Sequence, residues 1–414
     1  MAQLTPMMQQ YMEIKQKYPD AILFYRLGDF YEMFFDDALL ASRELELTLT
    51  GRDCGLKERA PMCGVPYHAA DAYIARLIER GHKVAICEQT EDPAQAKGLV
   101  KREVIRVVTP GTVSDYGSLH ERDNNFLCAV YLTGRRAGLA FCDVTTGELY
   151  VTALEDASRD LARVLSARRP SEIITNAADR LQGLTDAYLQ AYPQSAFGLG
   201  GARERLLSHF EVGTLEALGL DAAMQPAASA AGALLHYLMD TQMTDLKHIV
   251  SLKVQAPGDA MPLDMNTRRN LELTQGLRSQ NAWGSLLWLL DKTATAMGGR
   301  LLRSWVEQPL LDIDRIRERL DAVRALWEEP VLCEALLEKL GLVYDMERLL
   351  SRVAYKTVNA RDGLSLLRSL RQVPDTLSLL DAMEAPGIRA AASLLDPLSE
   401  LADLLENAID PEPP

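Results

Sequence analysis

The feature that most restricts the fold is a change of hydrophobic period along the chain. Up to about residue 250, short apolar runs suited to buried strands alternate with stretches at helical spacing. From Asn266 onward the runs are long and amphipathic, as in Ile316, Leu320, Val323 and Leu326, with charged residues on the outer faces. The expectation is a multidomain chain, with α/β material first and an all-α region after it. The length of 414 residues agrees, since ~100 to 200 residues per domain makes two to four domains.

Within the α/β part, Thr5-Pro6 reads as a helix start, with Met7, Met8, Tyr11, Met12 and Tyr18 at helical spacing and Pro19-Asp20 as its end. Ile22 to Leu27 is short, aromatic-rich and closed by Gly28-Asp29, which predicts a strand running into a turn, with a second helix directly after it. Asp71 to Arg80 predicts a helix stopped by Gly81, and Lys83 to Cys87 and Val104 to Val108 predict buried strands. This first α/β domain is expected to occupy residues 1–113. After a polar stretch from Ser114 to Asn125, Phe126 to Leu132, Gly138 to Asp143 and Glu148 to Ala153 predict a meander, turned at Gly134-Arg135-Arg136 and Thr145-Thr146-Gly147. A second α/β domain is expected over 114–252 and a helical one over 253–414.

Charge and cysteine usage narrow the function. With 44 Lys and Arg against 58 Asp and Glu the net charge is -14, which excludes a polycation that coats nucleic acid or anionic lipid by bulk charge. The first 112 residues are nearly neutral, with 14 basic and 16 acidic side chains. No run of eighteen apolar residues occurs, and Met1-Ala2-Gln3-Leu4 lacks the start of a signal peptide, so a soluble, cytoplasmic protein with no membrane partner is expected. Cys54, Cys63, Cys87, Cys128, Cys142 and Cys333 contain no Cys-x-x-Cys pair and read as reduced, mostly buried thiols. Cys54, Cys63, His68 and Cys87 have gaps that fit no usual zinc pattern, and no metal ligand is assigned.

The segment from Gly28 to Leu39 is the most informative. Read as a helix, it places Tyr31, Phe34, Phe35, Ala38 and Leu39 on one apolar stripe and leaves Phe30 off its centre. Two readings of Phe30 stand at this level. One is a wedge or stacking platform, since an aromatic face stacks on any base. The other is a cover for a sheet edge, with Asp29 and Glu32 forming a capping box.

The run Phe24-Tyr25-Arg26-Leu27-Gly28-Asp29-Phe30-Tyr31-Glu32 resembles the mismatch-reading segment of the MutS family of bacterial DNA mismatch repair proteins, whose signature is a Phe-x-Glu triplet in this phrase. Further phrases resemble the family in order: Leu4 to Tyr11, Pro61 to His68, Ala85 to Gln89, Val107 to Thr112, Asn266 to Leu273, Leu286 to Asp291 and Met297 to Leu302. The resemblance implies that Phe30 inserts beside a mispaired base from the minor-groove side of a kinked duplex. Unstacking costs least where pairing is already defective, so a wedge selects by deformability. It implies that Glu32 hydrogen-bonds the mispaired base, accepting from a base donor or protonated by its surroundings. Candidates for phosphate contacts that hold the wedge are Arg52, Arg76, Lys97, Lys101, Arg102 and Arg106, with Arg52 and Arg106 favoured. Gly64-Val65-Pro66-Tyr67-His68 resembles the family loop beside the DNA backbone, which adds Pro66, Tyr67 and His68.

The second domain is expected to be a connector that resembles the ribonuclease H fold, and the helices after it the first part of a lever. Asp143 at a strand end and Glu148 on the next strand form the pair that a Mg²⁺-dependent nuclease would use, which is the enzyme alternative. A protein-interaction scaffold derived from MutS is the other. The full-length family uses ATP and Mg²⁺ at a Gly-x-x-x-x-Gly-Lys-[Ser/Thr] loop, yet no Gly here is followed by Lys. The chain is therefore expected to correspond to the N-terminal half of such a protein, without clamp or ATPase, to have no catalytic residue and no cofactor of its own, and to bind rather than catalyse. The implied partners are double-stranded DNA with mispairs or small loops, MutL, and a second copy through the C-terminal half, in a nucleoid-associated setting.

Overall fold

Two six-stranded sheets and then a run of helices follow one another in the computed structural model, which describes residues 4–91, 98–113, 121–256, 258–278 and 281–413. The first unit opens with α1 (Pro6–Lys17), β1 (Ala21–Leu27), β2 (Phe30–Phe34), α2 (Phe35–Leu45), β3 (Thr50–Arg52) and β4 (Ala60–Pro66). A short 3₁₀ turn at Tyr67–Ala69 leads into α3 (Ala70–Glu79), β5 (Lys83–Gln89) and β6 (Arg102–Val108). The strand order is β3-β4-β2-β1-β5-β6, parallel only between β1 and β5. Met8, Tyr11 and Ile14 of α1 pack on one face with Leu23, Tyr25 and Phe34, while α2 and α3 cover Ile22, Phe24, Tyr31 and Met33 on the other.

The helix expected directly after Gly28-Asp29 starts later. Phe30 to Phe34 is a strand, paired Leu27↔Phe30 with β1 through a two-residue turn in which Gly28 has φ +58°, a conformation glycine adopts without strain. The period over this stretch is two: Tyr31 and Met33 point into one core, and Phe30 and Glu32 point to the opposite face. The predicted stripe therefore dissolves, and Leu39 is exposed. No capping box forms at Asp29 and Glu32, because no helix begins there.

In the second unit, β7 (Phe126–Thr133), β8 (Arg136–Asp143) and β9 (Glu148–Leu154) form the expected antiparallel meander. Then come α4 (Ala157–Arg168), β10 (Glu172–Thr175), β11 (Tyr188–Ala191), α5 (Leu199–His209), α6 (Gln225–Gln242) and β12 (Lys253–Val254). The order β11-β10-β7-β8-β9-β12, with β10 parallel to β7 and β11 parallel to β10, is that of the ribonuclease H fold with one short strand added at its edge. The alanine-rich helix α6 lies so close to the sheet that a Cβ on Gly138 would sit 1.8 Å from the Pro226 carbonyl oxygen.

The rest is helical, from α7 (Met265–Asn270), α8 (Leu286–Leu290), α9 (Ala296–Glu307) and α10 (Ile313–Glu328) through α11 (Pro330–Leu340), α12 (Met346–Ala354) and α13 (Ala360–Leu370) to α14 (Val373–Asp381), α15 (Pro386–Ala392) and α16 (Ser399–Ala408). These helices are shorter than the sequence pattern predicts; α10, the longest of them among the described residues, has 16 residues. It docks through Ala322, Ala325 and Leu326 beside Met383 and Ile388, leaving Leu320 and Val323 of the expected stripe exposed.

Buried polar contacts tie the units together. Glu172, fully buried on β10, accepts hydrogen bonds from the Thr109 hydroxyl, the Gly111 amide (2.9 Å) and the Tyr237 hydroxyl (2.6 Å), so one carboxylate joins the end of the first unit to the sheet and helix of the second. Gly111 has no room for a side chain, since a Cβ would lie 2.9 Å from Leu127. Arg300 of α9 is paired with Asp345 at 2.7 and 2.8 Å and with Glu347 at 2.6 Å while donating to the Glu121 carbonyl. Arg348 of α12 reaches the Asp123 carbonyl at 2.8 Å, which fastens this stretch to the helical unit.

Candidate nucleic-acid interface

One end of the first sheet gathers the predicted reading residues. Phe30 is the first residue of β2, beside the two-residue turn, and the residue is 46% exposed although its side chain is among the largest apolar ones of the chain. Glu32 lies on the same face two residues on, paired in register with Tyr25 of β1 and Gly64 of β4. Gly64 leaves this carboxylate open, since a Cβ there would come within 3.4 Å of Glu32 Cγ. Arg52, at the end of β3, donates from Nη1 to Glu32 Oε2. Phe30, Glu32 and Arg52 therefore form an apolar ring flanked by a neutralised charge pair, a surface that can approach a duplex without presenting a bare carboxylate to its phosphates.

The reverse face of the hairpin carries residues that the sequence reading did not single out. Arg26 of β1 donates through Nε to the Gly28 carbonyl at 2.6 Å, and its guanidinium lies 3.7 Å from the centre of the Tyr67 ring. Its Nη1 is 3.4 Å from Glu88 Oε1, which also accepts from the Tyr31 hydroxyl. Burial and the neighbouring Glu88 raise the Tyr31 hydroxyl well above its ordinary pKa, so it stays protonated and donates to Glu88. The signal available in the sequence was the alternation of Arg26, Tyr31 and Glu88 on strands that pair in register, which becomes visible once β2 is read as a strand.

Pro66 stands opposite Phe30 in the β2–β4 ladder, and Tyr67 and His68 follow it, both exposed and in edge contact at 5.7 Å. The Tyr67 amide donates to the Asp29 carbonyl at 3.0 Å, joining this loop to the hairpin turn. Arg76 is half-buried on α3. Lys101 is exposed, paired with Glu103 at 2.8 Å, at the β6 end that lies level with the hairpin tip. Lys97 lies outside the described residues.

Two of the expected phosphate ligands are placed elsewhere. Arg102 is only 7% exposed; it donates to the Arg26 carbonyl at 2.8 Å and the Val100 carbonyl at 3.0 Å and lies over the Tyr25 ring. Burial pushes the Tyr25 hydroxyl up to about 12 even with that cation beside it. Arg102 is an internal fastener, with its Nη1 also 3.3 Å from Gln10 Oε1 of α1. Arg106 pairs with Ile86, well down β6 from the hairpin, next to Val107, whose carbonyl accepts from Gln242 Nε2 of the second unit at 3.3 Å. It belongs to the seam between units, and the surface beside Phe30 lies at the other end of the strand.

The carboxylates of the second unit are committed to structure. Asp143 is fully buried and accepts from Asn124 Nδ2 (2.8 Å), the Asn125 amide (3.1 Å), the Thr145 amide (2.9 Å) and the Thr145 hydroxyl (2.7 Å). Glu148 takes the Tyr150 hydroxyl at 2.6 Å and lies 3.5 Å from Lys253. Such a saturated Asp143 organises the β8–β9 turn, and the nuclease alternative is not favoured. Cys54 and Cys63 are buried and donate to the carbonyls of Glu58 (3.2 Å) and Ala38 (3.5 Å).

The fold and this surface define a class: an α/β domain that presents an exposed aromatic beside a carboxylate, a ribonuclease H-like connector, and a helical array. Models of three successive domains match the chain in that order: MutS domain I over residues 5–116, MutS domain II over 125–250 and MutS domain III over 266–414. The chain belongs to the MutS family. It is 49% identical to the DNA mismatch repair protein MutS of Ruminiclostridium cellulolyticum, over 100% of this chain and 48% of that protein. It is also similar to the DNA mismatch repair protein MutS of Lachnoclostridium phytofermentans, 46% identical over 100% and 45%, and to that of Acetivibrio thermocellus, 47% identical over 100% and 48%. The chain spans about half the length of the curated relatives it matches.

Proposed function

We propose that this chain recognises mispaired or looped-out bases in double-stranded DNA, with Phe30 inserted beside the defective pair and Glu32 hydrogen-bonding the displaced base. The observation that carries the reading is the placement of Phe30: a large side chain exposed at the end of a six-stranded sheet, with Glu32 and its partner Arg52 on the same face. An aromatic wedge gains stacking wherever a base step opens, and the step opens at least cost where pairing is already broken. Arg52, Pro66, Tyr67, His68, Arg76 and Lys101 border the duplex in this reading. Few cations accompany the wedge, so binding is weak and salt-sensitive.

The corresponding division of labour is mismatch reading by residues 1–113, connection by 114–252 and leverage by 253–414. The chain itself binds without catalysing. In the longer proteins of its family, a further part uses ATP and Mg²⁺ and brings two copies together, and MutL takes up the signal, in the cytoplasm at the nucleoid.

Photo-crosslinking tests the reading. Duplexes carry 5-iodouracil either in a mispair with G or in a matched pair, and the crosslinked residue is mapped by mass spectrometry. A mismatch-dependent crosslink at Phe30, lost in Phe30→Ala, is the expected result; crosslinks indifferent to the mismatch, or mapping near Asp143, overturn it.

A further inference from the structure

The turn that presents Phe30 has little side-chain packing of its own. Gly28 and Asp29 are its only residues, both are exposed, and Gly28 contributes no side chain to packing. A ring driven into a base stack pushes back on its own turn, and hairpin tips open locally more readily than the strands behind them. Wedging therefore needs a brace on the face of the hairpin opposite Phe30.

Arg26 is placed as that brace. Its side chain is 17% exposed, on the face opposite Phe30 and Glu32. One guanidinium makes three contacts at once: Nε to the Gly28 carbonyl, the planar face on Tyr67, and Nη1 toward Glu88. Tyr67, clamped under that guanidinium, returns a backbone hydrogen bond to the Asp29 carbonyl. Both carbonyls of the turn are thus held, one by β1 and one by the loop after β4. We propose that Arg26, backed by Glu88 and Tyr31, is the positioning residue for mismatch reading, which fixes the hairpin turn so that Phe30 is presented rigidly. The inference rests on the reading of Phe30 given above. Lysine cannot replace it, because a point ammonium cannot stack on Tyr67 and reach Gly28 and Glu88 together.

A phosphate-binding arginine and a bracing arginine fail differently. Removing a phosphate contact weakens matched and mismatched duplexes alike, whereas removing a brace weakens only the complex that loads the wedge. The test uses Arg26→Lys, Arg26→Met and Glu88→Gln in the full chain, with Arg43→Met, an exposed cation on α2, as control. The first readout is amide hydrogen exchange of the peptide spanning residues 27–34 without DNA. The second is the mismatch-to-match ratio of 5-iodouracil crosslinking at Phe30.

Both Arg26 variants are expected to speed exchange of that peptide about tenfold, the loss of one net hydrogen bond. They also lower the crosslinking ratio while leaving matched-duplex crosslinking and exchange in the second sheet unchanged. Glu88→Gln falls between wild type and these, and Arg43→Met matches wild type. Unchanged exchange overturns the proposal, as does faster exchange with an intact ratio, or a parallel loss on both duplexes, which would make Arg26 a phosphate ligand. If the wild-type chain shows no mismatch dependence, the reading of Phe30 falls, and the exchange result alone decides whether Arg26 holds the turn.

Discussion

Arg52 and Glu32 form an ion pair on the face of the first sheet that carries Phe30, and the carboxylate, at 17% side-chain exposure, is more buried than the guanidinium at 39%. Arg52 was expected from sequence to hold a phosphate, but in the free chain its charge is spent on Glu32. Removing the carboxylate, as in Glu32→Ala, both frees that cation and lifts a repulsion from the duplex. Matched-duplex affinity is expected to rise and its salt dependence to steepen by about one unit of slope, the signature of one added phosphate contact. The mismatch-to-match ratio falls at the same time. Anisotropy titrations at several salt concentrations measure both; an unchanged slope would show that Arg52 stays off the backbone.

Arg102 and Lys101 are neighbours with opposite roles, and one experiment separates them. Arg102 is buried with carbonyl partners, so Arg102→Gln orphans those groups at ~1–3 kcal/mol each and lowers the thermal midpoint by several degrees. Lys101 is exposed and its ammonium pairs with Glu103, an arrangement that contributes little to stability, so Lys101→Gln leaves the midpoint in place and weakens DNA binding. Thermal unfolding and anisotropy on the two variants check the assignment; a stability loss in Lys101→Gln contradicts it.

The contrast between these two residues also marks what the sequence could carry. Length and turns made the meander legible: β7, β8 and β9 are seven or eight residues each and are bounded by the two glycine-bearing turns that were read for them. The stretch from Phe30 to Phe34 is five residues, too short for a period of two to be told from 3.6, and α2 begins directly after it, so the aromatic run was absorbed into the helix. The Gly28-Asp29 pair was the available signal of a two-residue hairpin. Burial of Arg102 depends on Tyr25, Arg26 and Val100, contacts made only when β6 lies level with the hairpin. The brace at Arg26 was hidden for the same reason, because Tyr67 and Glu88 reach it only through the sheet.

Glu172 lies at the joint that would carry any signal from the reading domain. Three donors converge on its buried carboxylate, from Thr109, Gly111 and Tyr237. In Glu172→Gln the amide nitrogen can accept from none of them, and at least one buried donor is orphaned at ~1–3 kcal/mol. The two sheets keep their own cores, so the expected effect is uncoupling. Calorimetry should show the first unit melting ahead of the second, with the upper transition close to its wild-type position. A single transition shifted as a whole would mean that the carboxylate supports the fold of the second unit and not the joint.

Acid should loosen the seam between the second unit and the helices. His248 donates from Nε2 to the Val144 carbonyl at 3.0 Å, its ring packs on Tyr355 of the helical unit at 5.1 Å, and the Ser351 hydroxyl reaches the same carbonyl at 3.3 Å. Nδ1 is buried with no hydrogen-bond partner among the described residues, and burial, with His209 nearby, holds the imidazole below its ordinary value of 6.5. The sign follows from which state takes the proton. As pH falls below 6.5 the unfolded chain protonates this imidazole and the folded chain does not, so the stability it contributes is complete above 6.5 and declines as pH drops toward the folded value. Midpoints measured from about pH 8 to about pH 5 should fall more steeply for wild type than for His248→Gln, whose amide keeps a donor for Val144 but takes up no proton. The other five histidines are common to both chains, so the difference between the two curves isolates His248. Parallel curves would place the acid sensitivity elsewhere in the molecule.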